Sequence, residues 1–151
     1  MNKKQAKRLL KLADHIVDPA KRGLGKFDFS RIMDRYPLCG TVGCALGECP
    51  TAFPKQWTRR VYNNCSAHEA FVSYAVSLKS HFGEGPFGSA QIFFGLTEDE
   101  TFALFQPFSQ FYIQPSLPNL GSKATPKEVA ANIRVFIRRK GYTLKSLRGK
   151  L

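Results

Sequence analysis

Residues 125–141, TPKEVAANIRVFIRRKG, state the fold most plainly. Thr125 is a helix cap, Pro126 suits a first helical position that needs no N–H, and Glu128 completes a capping box. Val129, Ile133, Phe136 and Ile137 recur at helical spacing as a face for burial, with Lys127, Arg134 and Arg138 as an outer stripe. Gly141 ends the element as a C-cap. The pattern predicts a basic C-terminal helix over 126–140.

The same rules predict a basic N-terminal helix over 3–17, with Ala6, Leu9, Leu10, Ala13, Ile16 and Val17 on one side. Lys4, Arg8, Lys11 and His15 lie on another side, and Pro19 stops the helix. Residues 21–26 read as a loop, and Phe27-Asp28-Phe29 as a short extended or capping element. Gly40-Thr41 reads as a turn and helix start, followed by a short helix that Pro50 ends, and 50–64 as loop. Ser66-Ala67-His68-Glu69 has capping-box spacing and predicts a helix carrying Phe71, Tyr74, Ala75 and Leu78.

Gly83 to Gly88 reads as a turn, and Ser89 to Phe94 as a short helix closed by Gly95. Thr97-Glu98-Asp99-Glu100 is a further capping box, opening a helix with Phe102, Leu104 and Phe105 turned inward before Pro107. Residues 106–122, with three prolines, read as a long ordered loop. No strand pair is expected. The fold class expected is mainly α: a compact single-domain bundle of five to six helices over 1–151, with long Pro-containing loops and a Phe-rich core.

Charge narrows the function. The net charge of +12 is concentrated at the ends: residues 1–26 carry +6, 123–151 carry +8, and the middle carries −2. That distribution favours an anionic partner, either a phosphate-bearing ligand (nucleotide or nucleic acid) or an acidic host protein. No apolar run approaches the ~18 residues that span a bilayer, and the basic helices use their apolar sides for a core, so no membrane partner is expected.

The cysteines follow Cys39-x4-Cys44-x4-Cys49-x15-Cys65, with His68 three residues on. In a cytoplasm these are reduced thiols. The first gap fits a zinc pair, but Cys44 and Cys49 on one helix would diverge by about 140°, a divergence that a break at Gly47 would relieve. Cys39 or Cys44 at a helix start could act as a nucleophile with His15, His68 or His81 as base, yet no local signature joins them. The remaining reading makes the cysteines small buried hydrophobes.

Phosphate contacts have two sources. Arg31 and Arg35 adjoin Tyr36, and Arg59 and Arg60 lie near Trp57 and Tyr62, which pairs guanidinium groups with aromatic stacking faces. Gly40, Thr41 and Gly43 could offer backbone donors, although neither a Walker loop nor a Gly-x-Gly-x-x-Gly run is present. The basic faces of the first and last helices could also clamp a nucleic-acid backbone without reading bases. The ligand-binding residues expected are thus Arg31, Arg35, Tyr36, Gly40, Thr41, Gly43, Trp57, Arg59, Arg60 and Tyr62, with no catalytic residue, metal or cofactor.

The run Cys39-Gly40-Thr41-Val42-Gly43-Cys44-Ala45-Leu46-Gly47, with Phe27-Asp28-Phe29 and Phe93-Phe94-Gly95-Leu96, resembles a group of small uncharacterised bacterial and bacteriophage proteins. The resemblance implies no activity, but it implies the cytoplasm of a bacterial host cell. The expectation is a non-enzymatic basic binding protein of a phage or mobile element, acting by sequestration or inhibition of a host system. The alternatives are a protein–protein inhibitor or adaptor for an acidic host protein, and a cysteine- or zinc-dependent protein.

Overall fold

Helix α1, Lys3–Ile16, begins at Asn2, whose side chain accepts from Gln5 N at 3.0 Å while Gln5 Oε1 accepts from Asn2 N at 2.8 Å. In the computed structural model the described residues are 1–23, 26–27, 33–36, 40–66, 69–81, 83–105, 120 and 123–148. Of these, 26–27, 33–36, 40–43, 60–66 and 69–75 are described by backbone alone. Arg31, Cys39, His68 and most of the proline-containing stretch 106–122 lie outside them.

Strands β1 Lys26–Phe27, β2 Met33–Tyr36 and β3 Gly40–Gly43 follow α1, then α2, Cys49–Ala52. Strands β4 Trp57–Ser66 and β5 Glu69–Leu78 form a ten-residue antiparallel ladder. Helices α3 Gly85–Phe94, α4 Glu98–Phe105, α5 Pro126–Arg139 and α6 Leu144–Arg148 complete the chain. Helices of 14, 4, 10, 8, 14 and 5 residues outweigh strands of 2, 4, 4, 10 and 10, so the described fold is mainly helical, as expected.

The sheet is not what the sequence reading expected. Its order is β1-β3-β2-β5-β4, parallel between β1 and β3 and antiparallel elsewhere. Three local readings are corrected by it. The helix expected after Ser66 is β5, because Phe71, Val72, Tyr74 and Val76 are aromatic or β-branched and suit a pleated surface. The helix expected after Gly40 is β3, and Pro50 sits in the first turn of α2 rather than after a helix. The loop expected over 50–64 holds α2 and most of β4. The turn expected over Gly83 to Gly88 gives way to α3 from Gly85 onward.

The helical readings elsewhere hold. Thr125 and Glu128 form the capping box of α5, and Gly141 beyond it has φ +83°. Thr97 and Glu100 cap α4 reciprocally, at 3.0 and 3.3 Å. Gly95 ends α3 at φ +64°, where a Cβ would collide with the Gln5 side chain that caps α1, so the turn needs glycine twice over. The core lies where the helices meet: Leu9, Leu12 and Ile16 of α1, Ile133 and Ile137 of α5, Phe94, Leu104 and Phe105 are all fully buried. Trp57, at the start of β4, joins that core, and Leu78 N at the end of β5 donates to Ser89 Oγ of α3 at 3.0 Å.

Candidate anion-binding groove

Seven positions of α1 are buried, which leaves Lys4, Lys7, Arg8 and Lys11 outward, within an arc of about 100° at 100° per residue. Two rings lie beneath this arc. The Arg8 guanidinium sits 4.2 Å above the Phe93 ring and donates to Phe93 O at 3.1 Å. The Lys11 ammonium lies 5.1 Å from the Phe53 ring centre. Phe53 and Phe93 pack edge to face at 5.0 Å, and Trp57 stands perpendicular to Phe93 at 5.6 Å. The rings are 5% exposed, so they carry the cations but offer no open face to a base.

These residues line a groove of about 600 Å³, closed at one side by Asp14, Leu147 and Arg148. Arg148 reaches Asp14 at 3.0 and 3.3 Å, and Arg134 reaches the same carboxylate at 2.8 Å. The single acid of the groove therefore holds α5 and α6 against α1 and is already shared by two guanidinium groups. A second recess of about 350 Å³ shares Arg8, Gln56 and Phe93 with the first and adds Lys55, Lys79 and Ile92. The Lys79 ammonium donates to Pro54 O at 2.8 Å, so it is held beside this recess. Among the described residues, none of Lys4, Lys7, Arg8 or Lys11 meets a carboxylate.

The residues expected to bind are distributed otherwise. Trp57 is 1% exposed under Phe93 and has no stacking face to present, because it starts the strand on which the helices pack. Arg35 pairs in register with Thr41 and Tyr36 with Gly40 across β2 and β3, and Gly43 lies opposite Met33. Arg59, Arg60 and Tyr62 lie on β4, opposite Val76, Ala75 and Ser73. One sheet thus gathers them, with Trp57 and Arg59 two residues apart on β4 and so on one face of it. Gly40 to Gly43 is a strand, so it lacks the helix N-terminus on which the reading of its N–H groups as phosphate donors rested.

His15 was expected on the polar stripe of α1, but it is buried. Its Nε2 lies 3.0 Å from Glu48 Oε2, which also accepts from Gly23 N at 2.9 Å. Glu48 is fully buried, and a buried carboxylate requires such partners. The pair ties the end of α1, and the turn after it, to the segment ahead of α2. Burial pushes the Cys49 thiol well up from its ordinary value, with Cys44 and Glu48 acting in the same direction, which makes a thiolate nucleophile there unfavourable. Among the described residues, no three of His, Cys, Asp and Glu come together as a metal site. Among the same residues, no helix is long and apolar enough to cross a membrane.

Sequence reasoning named the basic faces of the end helices but missed Lys7, Phe53, Lys55, Gln56, Lys79 and Phe93. The spacing of Lys4, Lys7, Arg8 and Lys11 was a usable local signal. The rings and the second recess come together only in the folded chain. No family model, no curated protein and no solved structure matches this chain.

Proposed function

We propose that the chain is a non-enzymatic binding protein for an anionic, phosphate-bearing partner, which it holds in the groove along α1. The observation that carries this is a row of four cations with no carboxylate partner among the described residues, two of them seated on buried rings. Seating on a ring restricts a long side chain without neutralising it, so less freedom is lost when an anion arrives. The +12 net charge adds attraction at longer range. A protein that grips its ligand with cations on solvated stems acts by occupying it, which suits sequestration or inhibition and the phage-like resemblance noted above.

Calorimetry with ATP and fluorescence anisotropy with a labelled oligothymidylate, at about 50 mM salt, test the reading. Binding is expected for at least one probe, with a tenfold or greater loss in the K4A/K7A/K11A variant. These three lysines are only partly covered, so the variant is expected to keep its circular dichroism spectrum. Absence of binding by both probes, or unchanged affinity in the variant, would overturn the assignment.

A further inference from the structure

We infer, building on the binding function just proposed, that the groove takes a strand of nucleic acid by its phosphodiester backbone, without reading bases. The strand would run from the α1 groove into the second recess. Three features of the surface converge on this.

The first is continuity. The recesses share Arg8, Gln56 and Phe93, so an extended ligand crosses from one to the other along Arg8. Cations stand at both ends, Lys4, Lys7 and Lys11 at one and Lys55 and Lys79 at the other. The second is length. Lys4 to Lys11 spans about 10 Å of helix axis at 1.5 Å per residue. Phosphates of one duplex strand advance about 3.4 Å per nucleotide along the helix axis and farther in an extended single strand, so α1 alone faces about two to three, and the second recess adds more. That is a longer anion than one nucleotide supplies.

The third is what the surface lacks among the described residues. Phe53 and Phe93 have their faces under cations or against other rings, which leaves no platform for a stacked base. Ile92, at 42% exposure, is the one large apolar side chain exposed among the described residues. A protein partner would call for a desolvated apolar centre with the charges at its rim. A row of like charges on buried rings matches a sequence-independent polyanion better.

The test is anisotropy with fluorescein-labelled oligothymidylates of about 2, 6 and 12 nucleotides, a mixed-sequence 12-mer, and oligoglutamate of matched charge. Affinity is expected to climb at least a hundredfold from the dinucleotide to the 12-mer, and to agree within threefold between the two 12-mers. With five to six phosphates contacted, the log–log salt slope should be about −3.5 to −4. The K55A/K79A variant should lose about tenfold on the 12-mer while leaving the dinucleotide within twofold; K55A alone, which leaves the Lys79 bond to Pro54 intact, should lose less in the same direction.

Equal affinity for dinucleotide and 12-mer, or an equal loss on both in K55A/K79A, would overturn the strand assignment and leave a mononucleotide site under the proposed function. Oligoglutamate binding as tightly as the 12-mer would overturn it in favour of an acidic protein. Failure of every oligonucleotide and of ATP would remove the proposed function with it.

Discussion

Helices α1 and α5 are built alike and end up serving opposite purposes. Each has 14 residues, each opens with a capping box, each buries one apolar stripe, and each carries a basic face. On α5 one cation, Arg134, reaches a carboxylate, Asp14, at 2.8 Å, and Lys140, just past the helix end, pairs with Glu100 and lies 5.4 Å from the Phe136 ring. On α1 two of the four outward cations, Arg8 and Lys11, rest on rings, and Arg8 also donates to a carbonyl. Charge count differs little between the two helices, five Lys/Arg on α1 against four on α5. What lies beside particular cations distinguishes them: an acid holds Arg134 against α1, whereas Arg8 and Lys11 rest on rings that leave their charge available to a partner.

The helices also differ in how they are anchored, and the largest effect expected concerns that. The end of α1 is tied through His15 to a fully buried Glu48, whereas the end of α5 is tied through a pair whose lysine is 38% exposed. Glu48→Ala removes the partner of the buried His15 and the acceptor of the Gly23 N–H, and should cost about 3 kcal/mol in urea unfolding. Lys140→Ala should cost about 1 kcal/mol or less. Similar costs for the two would show that the buried pair does not anchor α1.

The comparison is broken most directly by moving the same charge loss between helices. K4A/K7A/K11A and K127A/R138A/R139A each remove three positive charges. If local placement governs, the first set should lose tenfold or more in oligothymidylate binding and the second less than threefold, by anisotropy at fixed salt. Equal losses would mean that only net charge matters. Asp14→Asn sharpens the point. It frees Arg134 and Arg148 from their shared acid beside the groove, so affinity should rise about threefold while stability falls by about 1 kcal/mol. An affinity that falls would show that Arg148 needs Asp14 to be positioned.

How much of this could be read from the chain follows from how local each instruction is. Helices α1, α4 and α5 announce themselves within four residues, through caps and stops that act on their own backbone. The β4–β5 ladder does not. Ser66 and Glu69 have the three-residue offset of a capping box, yet they are register partners at the end of the ladder. The same spacing serves a helix start and the close of a hairpin, and only the β-branched and aromatic content of Val61, Tyr62, Phe71, Val72, Tyr74 and Val76 separates them. The groove was half legible for the same reason. Its cations sit at helical spacing on α1, but Phe53 and Phe93 stand 40 positions apart in the chain, and it is packing around Trp57 that brings them under Arg8 and Lys11.

The smallest effect separates the two helices by pH. Burial works to raise the Glu100 carboxyl, but the Lys140 ammonium and the Thr97 N–H together outweigh it and hold the group below its ordinary 4.5. A carboxyl depressed in the fold contributes stability that is fully present above pH 4.5 and is lost as pH falls through the folded value. Glu100→Gln should therefore lower stability by about 0.5 kcal/mol at pH 7 and leave it unchanged near pH 2, which flattens the acid limb of a plot of urea-unfolding free energy against pH. Oligothymidylate affinity at pH 7 should stay within twofold, because Glu100 pairs with Lys140 beside the end of α5 and not in the groove. A variant that keeps the slope of the parent would place the acid sensitivity in other carboxylates, Glu128 among them, whose backbone bond from Thr125 depresses it in the same sense. A variant that loses binding would show that the Glu100–Lys140 pair beside the end of α5 reaches the groove after all, and the division between the two helices would fail.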